Sequence, residues 1–125
     1  MTHRDQVYKC NKCGNLINVV CGGGGVLTCC NEPMQVMQAN TVDAAQEKHV
    51  PVVTRDGNTV TVSVGSVPHP MEDKHYIQTI SVLTPDRLYR AYLQPGQQPE
   101  AVFEIEGELT NARAYCNLHG LWQNS

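Results

Sequence analysis

No apolar run in this chain is long enough to span a bilayer. That excludes a single-pass helical membrane protein. The N-terminus, Met1-Thr2-His3-Arg4-Asp5-Gln6, is polar and no apolar stretch follows it, so a secretory leader is not expected and the cytoplasm is the expected location. Positive charge is not in excess either. Nine basic residues against twelve acidic ones give a formal charge of -3, which disfavours nucleic acid as a partner. An anionic substrate has to be drawn in by a local positive patch. Helical periodicity is absent, and so is any long repeat. The 125 residues allow one ordinary domain, or a small domain beside a tiny one.

What is present is unevenly placed. Five of the six cysteines, Cys10, Cys13, Cys21, Cys29 and Cys30, fall before residue 31, and the sixth is Cys116. In a reducing compartment such clusters are metal ligands more often than disulfides. Cys10-Asn11-Lys12-Cys13-Gly14 reads as a metal knuckle, with Gly14 allowing the tight turn. Cys29-Cys30 supplies the second pair. Neighbouring residues of a strand point to opposite sides, so both can reach one ion only if the backbone bends between them. Four thiolates suit tetrahedral zinc or iron, and the spacing leaves that choice open. Cys21 falls outside the pattern and reads as a free thiol near Gly22-Gly23-Gly24-Gly25.

Residues 1–37 hold few large apolar side chains, and a segment under about 40 residues rarely folds without a metal, a disulfide or a partner. A small metal-nucleated β-domain is expected there. Residues 38–46 read as a linker. Residues 47–125 read as short strands between turn signals, which points to an antiparallel sandwich. Val60, Val62 and Val64 alternate with polar residues. Ile77, Thr79, Ser81 and Leu83 are expected on one face of the next strand, with Tyr76, Ile80 and Val82 on the other. Leu88–Leu93 and Ala101–Glu106 follow, and Ala112–Tyr115 is the last strand expected. Arg55-Asp56-Gly57-Asn58, Thr84-Pro85-Asp86 and Gln94-Pro95-Gly96 mark turns.

Four of the five histidines lie in three short motifs: Glu47-Lys48-His49-Val50-Pro51, Pro68-His69-Pro70-Met71-Glu72-Asp73-Lys74-His75 and Tyr115-Cys116-Asn117-Leu118-His119-Gly120. Prolines on both sides of His69 stiffen its backbone and reduce the entropy lost on ligation. Cys116-x-x-His119 lets one loop give two ligands, and Gly120 gives that loop room to turn. Four imidazoles and one thiolate are one donor too many for structural zinc. Octahedral iron with five protein ligands keeps one position open, as a reactive metal needs. If the imidazoles form a plane, the thiolate lies opposite the open position and donates electron density towards it.

These motifs carry a resemblance. Cys10-x-x-Cys13, Cys29-Cys30 and Glu32-Pro33-Met34 resemble desulforedoxin, which implies iron at the four cysteines. The three histidine motifs resemble the iron centre of superoxide reductases. Together they make nearly the whole chain similar to desulfoferrodoxins, the two-iron class. The resemblance implies an all-β chain: a desulforedoxin-like domain, then an immunoglobulin-like antiparallel sandwich. It implies two mononuclear irons, one held by Cys10, Cys13, Cys29 and Cys30. The other has His49, His69, His75 and His119 around it and Cys116 as axial ligand. The implied reaction is one-electron reduction of superoxide to hydrogen peroxide, which protects an anaerobic or microaerophilic cell. A rubredoxin-like electron donor and a homodimer are the implied partners. Lys48, beside a ligand, is the candidate for attracting the anion and stabilising product; Glu47 is the candidate for closing the open position in the ferric state.

Other readings share these residues. A two-site electron carrier or redox sensor uses the same ligands without turnover. A zinc-ribbon binding module would be colourless and would not need the histidines. A thiol–disulfide enzyme built on Cys10 and Cys13 leaves the histidines unexplained.

Overall fold

The computed structural model describes residues 2–41, 49–66 and 68–124. The chain divides into two compact units, Met1–Gln38 and Ala39–Ser125. Every regular element among the described residues is a strand, as the turn-rich sequence leads one to expect.

The first unit has little to bury. Its strands β1 (Val7–Lys9), β2 (Leu16–Asn18) and β5 (Gln35–Met37) form an antiparallel sheet in the order β2-β1-β5. A two-residue hairpin joins β3 (Thr28–Cys29) to β4 (Glu32–Pro33). Of its described apolar residues only Val7 and Cys10 are buried, while Val20 and Val26 are exposed. The glycine run has a steric reason at one position: a Cβ on Gly22 would overlap the Thr2 carbonyl. The Thr2 hydroxyl oxygen accepts from the Gly23 and Gly24 N–H groups at 3.1 and 2.9 Å, which ties the loop to the N-terminal segment.

Among its described residues the second unit is a seven-stranded sandwich. Strands β6 (Pro51–Asp56), β7 (Thr59–Val64) and β10 (Glu100–Glu104) pair in the order β10-β7-β6. Strands β8 (Ile77–Leu83), β9 (Leu88–Tyr92), β11 (Asn111–Cys116) and β12 (Gly120–Gln123) pair in the order β12-β11-β8-β9. Three strands face four, and the chain crosses between the sheets from β7 to β8, from β9 to β10 and from β10 to β11, which is the immunoglobulin-like arrangement. The alternation in β7 buries Val60, Val62 and Val64 completely. They meet Ala101 of β10 and, from the other sheet, Ile77, Ile80, Val82, Ala112, Ala114 and Cys116. Fully burying one such valine or isoleucine is worth roughly 1.5–3 kcal/mol, so this cluster dominates the stability of the unit.

Two details differ from the expected strands. Ile77 does not share a face with Thr79 and Ser81; it joins Ile80 and Val82 in the core. The cause is a bulge: Tyr115 pairs with Thr79 but Cys116 pairs with Ile77, so Gln78 is an extra residue on β8. The last strand is also not β11. Gly120–Gln123 returns as β12, and Asn40 pairs in parallel with Trp122 on its outer edge. That pairing is fixed by Asn40 N–H to the Leu121 carbonyl and Gln123 N–H to the Asn40 carbonyl, both 2.9 Å.

Candidate metal centres

Backbone chemistry builds the four-cysteine group. In the first knuckle, Cys10 N–H donates to the Asn15 carbonyl and Gly14 N–H to the Cys10 carbonyl, each at 2.9 Å. Gly14 sits at φ +83°, a conformation without cost only for glycine. The second knuckle meets the requirement that the chain bend between adjacent cysteines. Cys29 pairs with Glu32, and the two loop residues Cys30 and Asn31 both have positive φ, +53° and +62°. A two-residue hairpin with both central residues left-handed turns the Cys30 side chain to the same side as Cys29. Left-handed backbone at a non-glycine residue costs about 1–2 kcal/mol, which the local fold has to offset.

One ligand atom from each of Cys10, Cys13, Cys29 and Cys30 lies within 4.8 Å of every other. Cys13 Sγ is 3.5 Å and Cys30 Sγ 4.0 Å from Cys29 Sγ. Tetrahedral sulfurs about 2.3 Å from one ion are roughly 3.8 Å apart, so the group matches a single metal and is too open for a disulfide of about 2.05 Å. The sulfurs compete for charge. N–H groups of Cys13 and Lys12 stabilise the Cys10 thiolate and bring its pKa down to about 6. The Cys13, Cys29 and Cys10 sulfurs beside Cys30 push its thiol up to about 12, and Cys13 and Cys10 raise Cys29. Four thiolates at these distances require a cation among them. Cys21 is an exposed thiol outside the group.

The second group is assembled from both sheets. His49 precedes β6, His69 and His75 lie in the loop before β8, and Cys116 and His119 bound the loop from β11 to β12. Cys116 continues the inward face of Ala112 and Ala114, so its sulfur rises from the sandwich core. Cys116 pairs with Gly120 across a three-residue loop, and Gly120 at φ +87° closes it. His75 is held by a reciprocal pair of backbone bonds with Glu72, at 2.9 and 3.1 Å.

All five ligand atoms lie within 4.8 Å of one another. Metal–nitrogen bonds of about 2.1 Å and a metal–sulfur bond of about 2.3 Å put opposite ligands roughly 4.2–4.4 Å apart, so one ion can engage all five. The imidazoles form a closed ring. Centroid distances are 4.5 Å for His49–His69, 4.8 Å for His69–His75, 5.0 Å for His75–His119 and 5.0 Å for His119–His49. Each neighbouring pair is edge-on, at 61–87°. Cys116 Sγ lies 3.7 Å from His69 Nε2 and 3.9 Å from His119 Nδ1. The Pro70 carbonyl, 2.7 Å from His69 Nδ1, accepts that N–H and leaves Nε2 as the lone-pair atom on the Cys116 side. Cys116, His49 and His69 are buried, His75 is half-buried and His119 is exposed, so sulfur is innermost and the cluster reaches the surface through His119.

Glu47 and Lys48 lie outside the described residues. Two supporting residues escaped the sequence reading. Asn117 sits between the two ligands of its own loop, where the motif drew attention only to Cys116 and His119. Its Oδ1 accepts from Tyr76 N–H and its Nδ2 donates to the Lys74 carbonyl, both at 3.0 Å, which clamps the segment carrying His75. Trp122 stacks on His49 with centroids 4.6 Å apart and planes 15° from parallel. Its indole N–H donates to the His119 carbonyl at 3.1 Å. A single tryptophan three residues beyond a ligand was the signal available for it.

The donor sets and distances fit two mononuclear irons, one on four thiolates and one on four imidazoles and a thiolate. The comparisons agree. Residues 2–37 match the family described as desulfoferrodoxin, N-terminal domain, and residues 41–125 match the family described as desulfoferrodoxin. A desulfoferrodoxin of Desulfarculus baarsii is 55% identical over 98% of both chains. One from Nitratidesulfovibrio vulgaris is 48% identical over 98% of both. In three dimensions the superoxide reductase of Treponema pallidum superposes with a TM-score of 0.81 at 29% identity, covering 96% of this chain and 97% of its own. With both domains matched in order and full-length relatives at about half identity, this chain belongs to the desulfoferrodoxin family.

Proposed function

We propose that the protein is a superoxide reductase that reduces superoxide by one electron to hydrogen peroxide at the centre formed by His49, His69, His75, His119 and Cys116. The observation that carries the reading is the closed ring of four imidazoles with a buried thiol beside it, all ligand atoms within 4.8 Å. Bound there, ferrous iron supplies the single electron that, with two protons, turns superoxide into hydrogen peroxide. Four neutral imidazoles and one thiolate leave a ferrous site with net positive charge, which favours an anionic substrate. The Cys116 sulfur is fully buried, which shields a nucleophilic thiolate from solvent and from the oxidant formed. His119 at the surface keeps the centre within reach of a small anion.

Lys48 directly precedes His49 in sequence, and its role in this reading is to raise the local concentration of superoxide and stabilise developing charge. Glu47, next to Lys48 in sequence, would supply a carboxylate ligand to the oxidised iron in this reading. Cys10, Cys13, Cys29 and Cys30 hold an electron-transfer iron, with a rubredoxin-like carrier as donor and a homodimer as the working form. The organisation proposed is residues 1–37, a linker over 38–46 and the reductase domain over 47–125. Among the described residues no helix is long and apolar enough to cross a membrane.

Rapid mixing of the reduced, iron-loaded protein with superoxide tests the proposal. A reductase yields one peroxide for each superoxide consumed and releases no dioxygen. Dioxygen release, or no accelerated loss of superoxide, would leave a dismutase or a non-catalytic carrier.

A further inference from the structure

His49 and His119 are neighbours in the imidazole ring, yet they come from opposite sheets of the sandwich. His49 leads into β6 of the three-stranded sheet, and His119 lies in the loop before β12 of the four-stranded sheet. Trp122 touches both. Its ring lies nearly parallel on His49, and its Nε1–H reaches the His119 main chain. Its own backbone is fixed on two sides, by pairing with Ala114 of β11 and with Asn40. Both Trp122 and His49 are buried, so the stacked indole restricts the rotation of the imidazole.

We propose that Trp122 is a positioning residue for the five-ligand centre: its indole face sets the plane of His49 while its N–H sets the loop carrying His119, so one side chain fixes two ligands across the two sheets. Groups that orient metal ligands set both affinity and electronic properties of the metal. An indole stacked on a ligand ring also limits water on that side and so influences the reduction potential. The proposal rests on the reading of this cluster as an iron centre.

The test uses the full-length chain, its Trp122→Phe variant and its Trp122→Leu variant, each loaded anaerobically with ferrous iron. Three quantities are read: iron affinity by chelator competition, the midpoint potential of the second iron, and its ferric visible band. The four-cysteine iron is the internal reference. Trp122→Leu removes both contacts and is expected to lose about 10–100-fold in affinity with a shifted potential and band. Trp122→Phe keeps an aromatic face but no N–H, and is expected to fall between it and the parent. A folded Trp122→Leu variant with the parent's affinity, potential and band overturns the proposal. If that variant fails to fold, Trp122→Phe decides alone, and parent-like values in it are equally fatal. A parent chain that takes iron only at its four cysteines overturns the metal reading together with this proposal, whereas a parent with two irons and indifferent variants overturns this proposal alone.

Discussion

Asn117 and Tyr76 are joined twice. Tyr76 N–H donates to Asn117 Oδ1 at 3.0 Å, and Asn117 N–H donates to the Tyr76 carbonyl at 3.2 Å. The loop between Cys116 and His119 is thereby welded to the residue that follows His75. Asn117→Ala removes the side-chain half of that joint and strands the Tyr76 amide, a cost of about 1–3 kcal/mol. The expected result is a lower melting temperature and a roughly tenfold weaker second iron in chelator competition. Asn117→Asp keeps the acceptor and loses the donor to Lys74, so it should fall between. An alanine variant with the parent's iron affinity would separate the clamp from metal binding.

Cys116→Ser should fold, because serine is close in size and the core around Ala112 and Ala114 remains. It should lose the visible absorption that a ferric thiolate gives, while the bands of the four-cysteine iron persist. Optical spectra of oxidised protein check this. A surviving second-site band would show that the sulfur ligand is misassigned.

Lys48→Ala should slow the bimolecular reaction with superoxide and flatten its dependence on ionic strength, with the iron content unchanged. If Lys48 draws in the anion as proposed, its loss matters most at low salt, because screening at about 0.15 M already shortens the reach of a charge to about 8 Å. Rates measured across a salt series decide; identical curves for parent and variant would take Lys48 out of the mechanism.

Stripping the four-cysteine metal should unfold the first unit alone. Among its described residues the buried apolar set is Val7 and Cys10, against the continuous cluster of the second unit. A segment with so small a core depends on its ion for folding free energy. Hydrogen exchange on metal-depleted protein should show loss of protection in β1, β2 and β5 with protection retained in β7, β8 and β11. Retained protection in the small sheet would mean that its hydrogen bonds suffice.

Gly22→Ala should destabilise the same unit even with metal bound, since the added methyl collides with the Thr2 carbonyl rather than with a movable side chain. A denaturation midpoint equal to the parent's would show that the Thr2 segment can shift at little cost.

The sequence was most readable where one local rule acted alone. The alternation Val60, Val62, Val64 named both a strand and its buried face, and the cysteine and histidine motifs named the two groups that fold together. It was least readable where a partner elsewhere in the chain decides. The bulge at Gln78 is set by pairing with β11, so simple period-two counting put Ile77 on the wrong face. Strand β12 is four residues with a glycine at its start, too short to show a period, and exists because β11 and Asn40 flank it. Asn117 and Trp122 act through contacts 41 residues away and across the sheets, which no spacing rule contains.

The bulge on β8 also sets a bookkeeping constraint on length. Residues before Gln78 carry His75, and residues after it carry the alternating core of the strand. Losing or gaining one residue between 75 and 80 would rotate one of these sets by half a turn relative to the other, spoiling either the hydrophobic interior or the histidine ring. The turn at 84–87 is closed by its own hydrogen bonds and carries no such coupling, whereas the turn at 94–98 is tied to the His69–His75 loop through Gly96 N–H to the Met71 carbonyl at 2.8 Å. Lineages of this chain should therefore tolerate a variable tip at 84–87 while keeping the count from His75 to Ile80 unchanged.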